Sequence, residues 1–475
     1  MTALVVGGGI TGLTAAYALG RAGIRTTLVE ASDRLGGKVR TEQVEGYLVE
    51  SGPDSVISYR PAALELAREL GLGDAIIQTT EPRTVQIRSR GRFVQLPDGM
   101  GLVLPTRLGP FIATDTFSPL EKLRIGLDLI LPRDGLDRDI SVGAFLRRRL
   151  GDVLVDRLAG PLLGGVYGTP IDELSLLAVV PQLREAERRH RSLLLASLAQ
   201  GRARKQSGEG GVSPFVSLAR GMGQLSGALV EAMERSRWVE IRMKSPVVAL
   251  ERRVGGFDVR LADGDLLRPE AVILASPGPV TAVLLDKIAP AAGAHIRSIP
   301  HGSTAVVSLG YRLDQFPEPP TGHGFLVAAG ESLAIDACTM SSLKWAGRAP
   351  DGTVLLRIFI GSRSPGVLTG SDVEIVAVAE RDLTLAMGVR GAPMMTRVAR
   401  SIGQMPHYTV GHLERVAGAN TALAGLPSLI IAGAAFRGVG VPDCIAQGRA
   451  AAARVGAVLS GGLPGRVEVA EAVPA

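Results

Sequence analysis

Gly7, Gly9 and Gly12 stand at the spacing G-x-G-x-x-G, and Glu30 follows 18 residues after the last of them. The first glycine permits a tight turn. The second lets the backbone approach a pyrophosphate, and the third allows a helix to pack closely on a strand. Ile10 and Thr11 lie in the same turn, where a helix would begin and point free N–H groups at an anion. Glu30, with Ala31 beside it, is placed to accept hydrogen bonds from a ribose. A carboxylate there disfavours a 2′-phosphate. This set of residues binds a dinucleotide.

Three further blocks carry the same kind of chemistry. Arg34-Leu35-Gly36-Gly37-Lys38-Val39-Arg40-Thr41 brings two glycines and a cation behind the acidic residue. Glu50-Ser51-Gly52-Pro53-Asp54-Ser55 is a short polar loop. Far along the chain, Ala432-Gly433 precedes Arg437-Gly438-Val439-Gly440-Val441-Pro442-Asp443-Cys444-Ile445 and then Gly448. A glycine-rich turn that opens a helix presents backbone N–H groups, and its dipole favours negative charge on whatever binds there.

The elements that must position these residues can be read around them. Ala3–Val6 is a buried strand, Leu13–Ala22 a helix and Arg25–Glu30 the next strand, a β-turn-α-β unit within thirty residues. Pro61–Leu70 reads as a helix closed by Gly71, and 83–106 alternates like short strands. From Pro119 to Ala199 the pattern is helical. There Leu120, Leu123, Leu127, Ile130 and Leu131 share one face, and Phe145, Leu146, Leu150, Leu154 and Leu158 share another. Gly201–Ser213 reads as an exposed loop. After Ser217–Met222 a helix runs to Met233. Strands follow at Val239–Met243, Val247–Arg252, Phe257–Leu261 and Ala271–Ala275. Residues 280–420 form a second α/β and β block. Leu429–Gly433 is a last buried strand, followed by a turn and a helix through Ala452. The end of the chain after Ser460 reads as a frayed tail.

Composition excludes several classes. The 475 residues are 46% hydrophobic and 21% charged, a globular balance. Aromatics are 4%, too few for a base-stacking surface, and no nucleic-acid partner is expected. The net charge of +6 comes from scattered arginines, since only Lys38, Lys122, Lys205, Lys244, Lys287 and Lys344 are lysines. Such arginines suit carboxylates and phosphates. Cys338 and Cys444 form no spacing motif, so neither a metal site nor a disulfide framework is expected and a reducing cytoplasm is the simpler setting. No secretory signal and no stretch long enough to span a membrane is visible. A mean hydropathy of +0.24 leaves peripheral membrane contact open.

The blocks at 34–41 and 50–55 resemble the second glycine block and the under-flavin loop of the FAD-dependent amine oxidase and desaturase superfamily. The stretches Leu162–Leu174, Gly324–Val327, Ala337–Trp345, Met405–His412 and Gly438–Gly448 narrow the resemblance. They are similar to the oxygen-dependent porphyrinogen oxidases, closest to the coproporphyrinogen-oxidising type of monoderm bacteria. The likeness covers residues 2–455.

The resemblance implies an α/β FAD-binding domain of Rossmann-like, amine-oxidase type assembled from 1–80, 215–276 and 424–460. It implies an α+β substrate domain from 81–106 and 277–423, with an inserted helical lobe at 107–214 open to membrane contact and a flexible tail at 461–475. It implies FAD held by Gly7, Gly9, Ile10, Thr11, Gly12, Glu30, Ala31, Gly36, Gly37, Lys38, Gly52, Pro53, Asp54, Ser55, Gly433, Val439, Gly440 and Val441, with Val247 meeting the adenine through its backbone. The reaction implied is oxidation of coproporphyrinogen III to coproporphyrin III in haem biosynthesis. It removes six electrons in three two-electron steps and reduces dioxygen to hydrogen peroxide. Arg60 is expected at a propionate, and Phe325 and Leu326 at the face of the macrocycle. The flavin carries the chemistry, so no acid–base dyad is required.

His407 and Tyr408 are read as structural and Cys444 as a small buried residue. Arg184, Arg188, Arg189 and Arg191 are read as a solvated helix face, with a lipid or partner-enzyme contact as the alternative. Ser401 departs from the family, whose members often carry Trp there, and that puts aromatic packing at this point in doubt. Protoporphyrinogen IX, an amine or a polyene remain alternative substrates. A non-enzymatic binding protein is a further alternative, against which the intact flavin blocks argue. Monomer and homodimer both stay open.

Overall fold

The computed structural model describes residues 1–461 apart from 97–99, 101–102, 115, 134, 136–137, 207–212 and 362. Its first sheet is parallel, with strands in the order Val239–Arg242, Arg25–Val29, Thr2–Val6, Ala271–Leu274 and Leu429–Ile431. Val5 lies level with Leu28 on one side and Ile273 on the other. All four residues of Ala271–Leu274 are buried, as expected for a strand covered on both faces. One cover is made by the helices Ile10–Arg21, Gly223–Glu234 and Val441–Leu459, through Leu13, Leu225, Leu229, Ile445 and Val455. The other combines the antiparallel strands of 247–267 with the helices Gly278–Leu285, Pro290–Arg297 and His412–Ala422. Three distant stretches of chain thus build one sheet.

A second, seven-stranded sheet runs in the order Met395–Pro406, His301–Arg312, Thr353–Ile360, Ala337–Met340, Gly324–Val327, Val85–Ser89 and Arg92–Gln95. The helix Asp372–Met387 covers one face, burying Ile375, Ala379 and Leu383 against Val307, Ile358, Cys338 and Phe325. Ser371 and Glu374 form a capping box at its start. Apolar clusters cover the opposite face at two places. Tyr47 and Val49 pack on Leu355 and Met395 at one end, and Leu158 packs on Ile87 and Ala328 at the other. Between these clusters, paired residues Ala399, Val306, Phe359, Ala337 and Leu326 form a half-buried row. Because side chains alternate along a strand, this row points away from the helix-covered core.

The helical lobe has its own core, including Phe145, Leu146, Leu150, Leu154 and Leu174. Inside it, fully buried Arg149 and Asp128 pair at 2.6 Å, and Asp128 also accepts from the Ser192 hydroxyl and the Leu194 N–H. Residues 155–164 wind as a π-helix around Pro161, whose missing N–H interrupts the ordinary ladder. Three sequence expectations are corrected here. The helix Leu193–Gln206 continues through the first half of the expected loop at 201–213, and 207–212 lie outside the described residues. Arg184 is not on a solvated face: it is buried, pairs with Glu187 at 3.1 Å and stacks over Phe145. Arg189 is exposed and pairs with Glu185. Leu120 and Leu123 in the helix Pro119–Gly126 and Ile130 beyond it, read as one apolar face, are 79, 66 and 68% exposed, and Ile125 is the buried residue of that helix. Among the described residues no helix is long and apolar enough to cross a membrane. Apart from Gly461, the expected tail lies outside the described residues.

Candidate functional site

The glycines of the first turn differ in what surrounds them. A β-carbon at Gly12 would overlap the Gly7 carbonyl oxygen, so Gly12 is required by packing. A β-carbon at Gly9 would meet nothing within 4 Å. Gly9 therefore faces open space, at the point where the helix Ile10–Arg21 begins without a side-chain cap. The second glycine block closes the other side. The Gly36 N–H donates to the Gly8 carbonyl at 2.9 Å, and Gly37 lies against the Gly9 Cα. Gly433, at φ +132°, completes the rim near Thr11, its N–H held by the Gln447 side chain. The result is a cradle of free N–H groups with room for an anion, and it fits a pyrophosphate.

Glu30 organises the neighbouring subsite. Its carboxylate accepts from the Gly8 N–H at 2.6 Å and from the Ser32 N–H and hydroxyl at 2.8 and 2.7 Å. Both Ser32 donors go to Oε1, so Oε2, with the Gly8 N–H alone, keeps a lone pair for a ribose. Ser245 and Lys244 donate backbone N–H groups to the Glu30 and Ser32 carbonyls, so the start of the strand carrying Val247 is tied to the same place. Ala31 is exposed beside it.

The loop 50–55 is fixed by buried charge. A β-carbon at Gly52 would overlap the Lys38 carbonyl, so these two segments touch. The Asp54 carboxylate meets Lys344 at 3.0 Å, Arg357 at 3.4 Å, the Trp345 indole N–H at 3.1 Å and the Ser55 hydroxyl at 2.8 Å. Burial alone would raise its pKa, but Lys344 and Arg357 hold it well below the usual carboxylate range. Arg357 also donates to the Gly52 carbonyl. Asp54 was expected at the cofactor, yet its side chain is committed to protein partners that lock the loop to the second sheet. Pro53 is half-buried between these anchors. Glu50 is buried behind the loop, bonded by Thr41 and the Met222 N–H, and burial raises its pKa.

The C-terminal turn has its own supports. Tyr408 donates to the Ala434 carbonyl at 2.8 Å and accepts from the Gly438 N–H at 2.7 Å, and its ring stacks on His412. It is thus a structural residue, and burial drives its pKa well above normal. Asp443 accepts from the Gly440 N–H and pairs with Arg60. Burial raises the Asp443 pKa and Arg60 opposes the rise. Val439 and Gly440 are half-buried at the rim, and Val441 opens the helix Val441–Leu459. Cys444 is buried beside Thr11, its thiol pushed up to about 11 by burial. Lys38 donates to the Gln404 carbonyl at 2.6 Å, and burial lowers its pKa.

The second sheet supplies the facing wall. Leu326 belongs to the half-buried row and is positioned on the cleft face. Phe325 is not: it is 1% exposed and packs edge-on against Phe93 in the helix-covered core. The expectation that both clamp one ligand is therefore corrected, because adjacent strand residues point to opposite faces. Ser401 pairs with Thr304 on the cleft face. His407 is half-buried against Gly302, and its pKa is lowered by burial. Among the described residues no three His, Cys, Asp or Glu side chains group as metal ligands do.

Sequence reasoning missed Arg357, Lys344, Trp345 and Asp443 as working parts. Arg357 had a visible signal, a single charge inside the apolar run Thr353–Ile360, which needs a buried partner.

Comparison with known proteins agrees with this geometry. The family model for flavin containing amine oxidoreductase matches residues 10–456. The chain is 43% identical to coproporphyrinogen III oxidase of Propionibacterium freudenreichii, over 95% of this chain and 90% of that protein. It is 34% identical to coproporphyrinogen III oxidase of Bacillus subtilis, over 94% of this chain and 96% of that one. The crystal structure of an Exiguobacterium sp. 255-15 protein assigned as a protoporphyrinogen oxidase superimposes with a TM-score of 0.84 at 32% identity, covering 96% of this chain and 98% of that one.

Proposed function

The chain belongs to the flavin containing amine oxidoreductase family, and from that premise we propose that it oxidises coproporphyrinogen III to coproporphyrin III, with FAD as its flavin and dioxygen as the final acceptor. The macrocycle loses six hydrogens in three two-electron steps, and each electron pair leaves as one hydrogen peroxide. One observation carries the reading. The 43% identity to a coproporphyrinogen III oxidase extends over 95% of the chain, so it includes the dinucleotide cradle, the C-terminal turn and the wall that faces them.

The bound flavin supplies two-electron acceptance, which no side chain provides. The N–H groups of Ile10, Thr11 and Gly12 would hold its pyrophosphate, and Glu30 its ribose. The turn Val439–Val441 would meet the ring, with the helix dipole favouring negative charge there. Asp54 and Arg357 keep the loop under the ring rigid. Val306, Leu326, Ala337 and Phe359 offer an apolar face to the macrocycle and exclude water from it. The chain's task is to place one bridging carbon after another beside the flavin, a matter of orientation.

The test is aerobic turnover of the purified protein on coproporphyrinogen III and protoporphyrinogen IX, following porphyrin fluorescence and hydrogen peroxide together. Faster turnover of coproporphyrinogen is expected. Faster turnover of protoporphyrinogen would assign the activity for which the Exiguobacterium neighbour is named. A yellow protein inactive on both would overturn the reading in favour of an amine or polyene.

A further inference from the structure

Arg363 lies just past the strand Thr353–Ile360, at the opposite end of the cleft wall from the flavin loop. Its Nη2 group donates to the carbonyls of Val327 at 2.7 Å and Ala328 at 2.9 Å. Its Nε is buried without a hydrogen-bond partner, and Nη1 makes no hydrogen bond among the described residues. A guanidinium has five N–H donors, so two are satisfied here and three are not. The side chain keeps 22% of its exposure. Its nearest acid, Asp336, stands 4.0 Å from Nε, beyond hydrogen-bond reach. The backbone N–H groups of Gly361 and Arg363 lie on the side of the Asp336 carboxylate and work against the effect of burial on it.

Asp336 of this pair adjoins the face of the sheet that carries the half-buried row. A β-carbon at Gly361 would lie 3.1 Å from Asp336 Oδ2 and 3.6 Å from the Thr304 methyl. Thr304 is on the cleft face, and Gly168 of the helical lobe lies over it. From Arg357, which grips the Gly52 carbonyl, to Gly361 the strand advances four residues, about 13 Å. A tetrapyrrole resting on Leu326 and Phe359 with one edge toward Gly52 would bring its opposite edge, and the acid arms there, to Arg363.

We propose that Arg363 takes a carboxylate arm of the porphyrinogen at the edge remote from the flavin, with Asp336 as the competing carboxylate. The proposal rests on the porphyrinogen reading of this site. A planar fork with unmet donors is the group suited to a carboxylate. Burial lifts the Asp336 pKa to about 6, which eases the approach of a second acid.

The test uses flavin-loaded wild type, R363Q, R363K and D336N, with dissociation constants read from porphyrin fluorescence for coproporphyrin III and for its tetramethyl ester. R363Q should weaken coproporphyrin binding about ten- to a hundredfold, the worth of hydrogen bonds to a charged group. It should leave ester binding and the flavin spectrum unchanged. R363K should restore part of the loss, and D336N should tighten the acid but not the ester. Equal binding of the acid by R363Q and wild type would overturn the proposal. So would equal loss of acid and ester, which marks a merely structural role, or a wild type that binds the acid no better than the ester. Absent turnover of coproporphyrinogen with the acid preference intact would instead fail the reading of the reaction alone.

Discussion

Arg60 and Asp443 are 383 residues apart and form an ion pair at the first turn of the helix Val441–Leu459. The pair joins the segment after the loop 50–55 to the turn that, under the proposed function, would meet the flavin ring. Asp443 would otherwise be a half-hidden anion at a site suited to negative charge on the cofactor. A partly exposed pair is worth about 1 kcal/mol, or roughly fivefold in binding. R60A and D443N should each weaken flavin retention by about that factor. The double variant should be no worse than either single one. Flavin fluorescence released into a filtrate measures this. If R60A instead raises KM for coproporphyrinogen and leaves flavin retention unmoved, Arg60 returns to the propionate role that the sequence suggested.

Gly9 and Gly12 separate cofactor binding from folding. At Gly9 an added methyl meets only open space, and its backbone angles, φ −71° and ψ 173°, suit alanine. G9A should fold with its apoprotein stability within about 0.5 kcal/mol of wild type, yet purify without flavin. G12A forces a methyl onto the Gly7 carbonyl and should cost about 1–3 kcal/mol or more before any ligand is added. Urea unfolding of the apoproteins, beside the flavin absorbance of each preparation, checks both.

Much of this site was legible in the sequence because its motifs are local. The G-x-G-x-x-G turn, Glu30 at a strand end and the glycine-rich turn at 438–440 each carry their conformation within a few residues. What was illegible depends on pairing across the chain. Nothing near Asp54 in sequence says that its side chain will face Lys344 and Arg357. Gly324–Val327 stood out in the sequence only through the family resemblance; it is a strand, and one residue of register decides whether Phe325 or Leu326 meets the cleft. The chain is helical from Pro119 to Leu129 and not through Leu131, and periodicity does not say which apolar face will find a partner.

Asp54 makes the site sensitive to acid. Its pKa in the folded protein is depressed, whereas in the unfolded chain it is near 3.9. The stabilisation is therefore complete above about pH 4 and is lost as the pH falls toward the folded value. D54N removes it and leaves Lys344 and Arg357 without their anion, a loss of about 3–5 kcal/mol at neutral pH. The stability gap between wild type and D54N should be widest above pH 4 and should narrow below it. Denaturant unfolding at pH 7, 4 and 3 measures the gap, and a gap independent of pH would mean that the carboxylate charge is not what holds the loop.

Phe325 and Leu326 are adjacent, and the sheet assigns them opposite tasks. Phe325 fills the core beneath the helix Asp372–Met387, so F325A should destabilise the protein by about 3–5 kcal/mol. The part that stays folded should keep its KM for coproporphyrinogen, because no cleft atom has been removed. Leu326 is half-buried on the cleft face, level with Ala337 and Phe359. L326A should cost about 1–2 kcal/mol in stability, less than a full core truncation. It should raise KM, since apolar contact with the macrocycle is lost where the protein itself is only partly packed. Unfolding curves and steady-state kinetics on the same two preparations give both numbers for each variant. The reverse pattern, with KM moved by F325A and untouched by L326A, would mean that the macrocycle does not lie on the row that runs from Leu326 to Ala399.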